Sequence, residues 1–133
     1  MIFIDTNIFL RYFVVEDEIT HKKIEQLFTE IINGNIIAIS TSLVIAEIVW
    51  VLKKIYNWSK EEICKNVELI LRTPNIRFKE RVILIDALNI FKKKNIDFID
   101  AYNYSFMRAS SADKIYSFDR DFDKFTDINR LEP

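Results

Sequence analysis

The sequence predicts an α/β domain of three layers, α/β/α, on a central parallel sheet of four to five short strands. Three observations carry this expectation. Short apolar, strand-like runs recur along the 133 residues. Helical periodicity fills the stretches between them, and strands separated by helices pair in parallel and are covered on both faces. Acidic residues directly follow two of the runs, at the strand ends where parallel sheets place their ligands.

The first strand-like run, Ile2–Ile4, stops on Asp5 and gives way to a helix carrying Ile8, Phe9 and Tyr12. Ile24, Leu27, Phe28 and Ile31 then fall at i, i+3, i+4 and i+7, and Asn33–Gly34 provides the stop. Ile36–Ile39 is the second strand, followed by a helix beginning near Ser42. Ser59 with Glu62 forms a capping box ahead of Ile63, Val67, Ile70 and Leu71, which end at Thr73–Pro74. Ile76–Phe78 is the third strand. Leu84, Ala87, Leu88 and Phe91 repeat the helical spacing, as do Phe98, Ala101, Tyr102 and Ser105 after Asp97 as N-cap. Lys114–Phe118 and a weaker run, Ile128–Leu131, complete the strands. No repeat, linker or low-complexity segment interrupts the chain, which reads as one domain over residues 1–133.

Composition excludes several function classes. Gly34 is the only glycine, so neither a P-loop nor a dinucleotide-binding fingerprint can be built. One histidine, His21, and one cysteine, Cys64, are too few for a Cys/His zinc site or a two-histidine acid–base mechanism, and both read as carrying no chemistry. A single cysteine makes no internal disulfide and suggests a reducing compartment. Any metal must be held by oxygen, which favours Mg²⁺ or Mn²⁺. The run 35–52 is poor in charge, yet Glu47 and Ser40, Thr41 and Ser42 interrupt it. It reads as strand then helix, not a membrane span. With no signal peptide visible, the expectation is a soluble, cytoplasmic protein.

Four acids stand out. Asp5 and Asp119 follow strands directly, and Glu47 and Asp100 lie near helix starts that such a fold brings to the same edge. Glu47 is the only charge in eighteen residues, with Leu43, Trp50 and Val51 as its helical neighbours. It is therefore expected to be a buried carboxylate needing compensation. Each acid also has a purely structural explanation. Asp5 suits an N-cap, Asp100 favours a helix dipole, Asp119 suits a turn and Glu47 a salt bridge. Gathered at one sheet edge, four carboxylates repel each other, and divalent cations reverse that sign. Thr6, Asn7 and Ser117 add neutral oxygens nearby.

Four segments in order, FIDTNIFLRYF (3–13), ISTSLVIAEIVWVL (39–52), IDFIDAYNYSFM (96–107) and KIYSFDRDFDKF (114–125), make the chain resemble the PIN domain family, specifically its VapC-type toxin ribonucleases. The resemblance runs nearly end to end. It implies a PIN-like fold and metal-ligating catalytic acids at Asp5, Glu47, Asp100 and Asp119, with Thr6 and Asn7 supporting the first acid. Ser117 stands where the family often has threonine. Asp121 and Asp123 both follow Asp119 closely, and Asp97 shadows Asp100, so which of them assists stays open. The resemblance further implies Mg²⁺ or Mn²⁺ dependence, endonucleolytic cleavage of RNA, a homodimer and, in toxin–antitoxin pairs, a small cognate antitoxin.

The chemistry expected is metal-assisted phosphodiester hydrolysis, with Glu47 either ligating through water or acting as general base. Net charge is −1, but without the four site acids 19 basic residues face 16 acidic ones. Arg11, Lys53, Lys54 and Lys92–Lys93–Lys94 are available to phosphates. Phe9, Tyr12 and Phe13, with an apolar face around Val44 and Trp50, form a candidate dimer or antitoxin surface, although Trp50 also reads as core. Tyr102 and Tyr104 read as core more than as base-stacking platforms. Alternatives are a PIN nuclease of RNA processing, a non-catalytic RNA-binding or phospho-acceptor module, and a phosphatase using Asp5 as nucleophile. Asn7, where such phosphatases place a second acid, counts against the last.

Overall fold

A computed structural model describes residues 1–133, which form two compact units, Met1–Arg81 and Val82–Pro133. The chain is a mixed α/β protein with six α-helices and five short strands, and every strand pair is parallel. Hydrogen bonding groups the strands as three and two.

The first unit runs β1 (Ile2–Phe3), α1 (Thr6–Phe13), α2 (Glu18–Ile32), β2 (Ala38–Ile39), α3 (Ser42–Lys54), α4 (Lys60–Leu71) and β3 (Ile76–Arg77). Its sheet has the order β1-β2-β3, with Ile2 opposite Ala38 and Ala38 opposite Ile76. The strands are shorter than their apolar runs, but their ends stay tied. Ile4 N–H donates to Ile39 O (3.0 Å), Ser40 N–H to Arg77 O (3.0 Å), and the buried Ser40 hydroxyl to Ile4 O (2.9 Å). These bonds fix the carboxyl end of β1, from which Asp5 projects. Ile4 is buried, whereas Ile2 and Phe3 are exposed.

Helix boundaries follow local chemistry. Asp17 caps α2 through Thr20 N–H, and the helix ends where Gly34 takes φ +82°, a backbone conformation costly for other residues. Ser59 Oγ accepts from Glu62 N–H (3.1 Å) and donates to the Glu62 carboxylate (3.3 Å). Such a cap contributes about 1 kcal/mol. On α3 the cap is Thr41, accepting from Val44 N–H, while Ser42 donates instead to Glu80. The buried stripe Ile45, Ile48, Val49 and Leu52 keeps the i, i+3, i+4, i+7 spacing. Phe9 and Phe28 pack across α1 and α2 with ring centroids 5.8 Å apart.

The second unit holds α5 (Arg81–Lys93, whose first residue closes the first unit), α6 (Phe98–Ala109), β4 (Lys114–Tyr116), a 3₁₀ turn (Arg120–Lys124) and β5 (Asn129–Leu131). Lys114 faces Asn129 and Tyr116 faces Leu131. Phe91 and Phe98 meet edge to face at 5.9 Å, and Tyr104 stacks on Phe125 at 3.7 Å. Tyr104 is buried, as a core role requires, and its hydroxyl donates to both Asp127 oxygens (2.7 and 2.8 Å). No helix is long and apolar enough to cross a membrane.

Candidate active site

In the first unit Asp5 directly follows the β1 ladder and occupies the N-cap of α1, with extended backbone (φ −88°, ψ 165°). Its side chain accepts no bond from the helix amides. Capping aspartates ordinarily accept from N2 or N3, so the structural role open to Asp5 is left unused. Thr6, only 5% exposed, donates its hydroxyl to Glu47 Oε2 at 2.7 Å, tying the start of α1 to the middle of α3. Asn7 is exposed on the first turn of α1.

The environment expected of Glu47 needs correction. Glu47 is exposed, and so are its neighbours Leu43 (82%) and Trp50 (56%). Residues 43, 47 and 50 share the outward side of α3, while 45, 48, 49 and 52 fill the core. The helix carries more apolar residues than its buried face uses, so apolar neighbours in sequence did not mean burial. Trp50 is accordingly not core. Phe9 and Val44 are buried and lie outside any surface patch, leaving Tyr12, Trp50 and the half-buried Phe13 of that proposed surface.

In the second unit Asp100 sits at the third position of α6, after Asp97 as N-cap. Asp97 makes no side-chain cap bond to the helix. Asp119 follows β4 and caps the 3₁₀ turn, its Oδ1 accepting from Asp121 N–H at 2.9 Å. Ser117 Oγ accepts from Asp119 N–H at 3.0 Å, so the hydroxyl before this acid holds its backbone. Asp100, Asp119 and Asp121 each offer a carboxylate oxygen within 4.8 Å of the others. Partial burial raises the Asp100 carboxyl above its ordinary value, and the charges of Asp119, Asp97 and Asp121 push in the same direction.

The cations nearby sort the remaining acids. Arg130 holds Asp123 through Nε (2.9 Å) and Nη2 (3.3 Å) and also donates to Ser117 O (2.8 Å). Asp123 is thus a structural anchor, and Asp121 is the acid that joins Asp100 and Asp119. Lys124 Nζ lies 2.8 Å from Asp121 Oδ1. The sequence reading passed over Lys124, although its spacing of three from Asp121 on a helical turn was a usable signal. Neither Asp100 nor Asp119 has a basic partner.

Three converging carboxylate oxygens without histidine or cysteine form a hard, all-oxygen donor set of the kind that suits a divalent cation such as Mg²⁺ or Mn²⁺. The structure therefore gathers Asp100, Asp119 and Asp121 within the second unit and joins Thr6 to Glu47 within the first. Asp5 stands beside Thr6 with its carboxylate uncommitted.

Comparison with known proteins identifies the family. The chain is 27% identical over 131 residues to a VapC ribonuclease of Aquifex aeolicus (strain VF5), covering 97% of this chain and 96% of that protein. The crystal structure of Mycobacterium tuberculosis VapC20, described as a sarcin–ricin loop cleaving toxin, aligns over the whole of both chains at 16% identity and a TM-score of 0.42. The PIN domain matches residues 2–128, running through both compact units. The chain belongs to the PIN domain family.

Proposed function

We propose that this protein is a metal-dependent endoribonuclease, a cytoplasmic toxin of the VapC type acting as a single PIN domain over residues 1–133. The observation that carries the reading is the convergence of Asp100, Asp119 and Asp121 without enough basic charge to neutralise them. Repelling carboxylates oppose folding, and a site that keeps them invites a divalent ion. The relative from Aquifex aeolicus, a VapC ribonuclease aligned over nearly its full length, supports RNA as substrate. Membership of the PIN domain family favours this reading over the phosphatase and phospho-acceptor alternatives.

In this reading Asp100 and Asp119 would hold Mg²⁺ or Mn²⁺, and Asp5 and Glu47 are further acids on which cleavage depends. When bound, such an ion would supply Lewis acidity to the reaction. Thr6 fixes one Glu47 oxygen, leaving Oε1 to accept a proton or a ligand water. Ser117 and the amide of Asp121 hold Asp119 from both sides. Hydrolysis breaks the P–O3′ bond, leaving a 5′-phosphate and a 3′-hydroxyl. Lys92 and Lys93, exposed at the end of α5, are available to backbone phosphates. A homodimer and a small antitoxin belong to the same reading, and the exposed Leu43 and Trp50 offer apolar surface for protein partners.

The test is incubation of end-labelled RNA with the protein and Mg²⁺ or Mn²⁺, with and without chelator. Chelator-sensitive cleavage giving 5′-phosphate ends is expected, and Asp119→Asn should abolish it. Cleavage that persists in chelator, or leaves 2′,3′-cyclic phosphates, refutes the reading. The mass in solution tests the dimer.

A further inference from the structure

The acids beside the 3₁₀ turn are not equivalent. Lys124 Nζ bonds Asp121 Oδ1 at 2.8 Å and also donates to Asn95 O at 2.6 Å, in the loop between α5 and α6. A second lysine follows the same path in reverse. Lys94 donates to Lys124 O at 3.3 Å and lies 5.3 Å from the centre of the Phe125 ring. Lys124 is thereby pinned at three points, by Asp121, by Asn95 and through its own carbonyl by Lys94. Asp100 and Asp119, in the same cluster, have no such partner.

We infer that Lys124 is a positioning residue and resident counter-charge that competes with the metal for Asp121 and leaves Asp100 and Asp119 as the ion's principal ligands. This deepens the proposed function and rests on it. The chemistry is a competition for one carboxylate. A lysine ammonium and a divalent ion both seek Asp121, and the lysine is tethered beside it by two further hydrogen bonds. With Lys124 in place the three acids and the lysine carry a net −2, which one divalent ion cancels. Without it the net is −3, and Asp121 is released to the ion. One unit charge at close range, seen by a divalent ion through a solvent-like dielectric, is worth about tenfold in affinity.

The test is Mn²⁺ binding to the full chain without RNA, by titration calorimetry or loss of the free-ion electron resonance signal, alongside thermal unfolding. Lys124→Met is expected to bind Mn²⁺ about tenfold more tightly than the natural protein, and Lys124→Arg to restore the natural affinity. A purely structural lysine lowers the unfolding temperature when removed and gives no tighter metal binding. Asp121→Asn offers a second approach that keeps the lysine. It should weaken Mn²⁺ binding less than Asp119→Asn, which should abolish it. Unchanged or weaker binding by Lys124→Met, or equal losses from Asp121→Asn and Asp119→Asn, overturns the inference while leaving the nuclease reading intact. If the natural protein itself binds no Mn²⁺, the metal-dependent reading falls and this inference with it.

Discussion

Asp119→Asn should make the metal-free protein more stable while destroying its activity. The carboxylate oxygens of Asp100, Asp119 and Asp121 lie within 4.8 Å of one another. At that separation two unit charges repel by about 0.9 kcal/mol in the dielectric of water, more where solvent is excluded. Asparagine at position 119 removes two such repulsions, one of them already offset by Lys124 on Asp121. It also keeps an amide oxygen able to cap the 3₁₀ turn as Asp119 Oδ1 does at Asp121 N–H. The net gain is about 1 kcal/mol, or about 4 °C in midpoint for a chain of this size. Urea unfolding in chelator measures it, and raising the salt should shrink the gain by screening. Mg²⁺ should then stabilise the natural protein and leave Asp119→Asn unmoved. A variant that is less stable in chelator, or that responds to Mg²⁺ as the natural protein does, refutes the claim that these acids form a strained ion site.

Asp100 gives a pH signature. Its folded carboxyl titrates above the unfolded value, so between the two the folded state binds more protons and stability falls as pH rises. In chelator, the stability advantage of Asp100→Asn over the natural protein should grow with pH through that window and level off above it. Stability curves that run parallel across the acidic range would contradict the shift. Tyr104→Phe keeps the ring stacked on Phe125 but removes the bonds to Asp127, and should cost about 1.5–3 kcal/mol in denaturant unfolding. Leu52→Ala, at a fully buried site on α3, should cost about 2–5 kcal/mol. Leu43→Ser on the exposed side should stay within about 0.5 kcal/mol. Equal effects at the two positions would mean that the buried face of α3 is misassigned.

What the sequence made legible was local. Apolar spacing located α2, α4, α5 and α6, and the Ser59–Glu62 pair and Asn33–Gly34 marked a start and a stop that the structure keeps. Strand runs were recognisable because β-branched residues cluster there, although two or three residues of each pair as strand. Burial on α3 was misread because nearly every residue there is apolar, and composition does not choose a face. Asp5 was legible as an N-cap position, but only coordinates show that its carboxylate leaves the helix amides alone. The sorting of Asp121 from Asp123 depends on Arg130, which arrives from β5 and has no local sequence signal. Thr6 and Glu47 meet across 41 residues, a contact that periodicity cannot reveal.

The central proposal is that cleavage of RNA requires Asp5 as it requires Asp119. Single-turnover cleavage of a labelled RNA by Asp5→Asn in Mn²⁺, on protein shown to be folded, tests it most directly. Loss of cleavage to the level of Asp119→Asn is the expected result, with the double variant no slower than either single one. Cleavage by Asp5→Asn at the natural rate would contradict it.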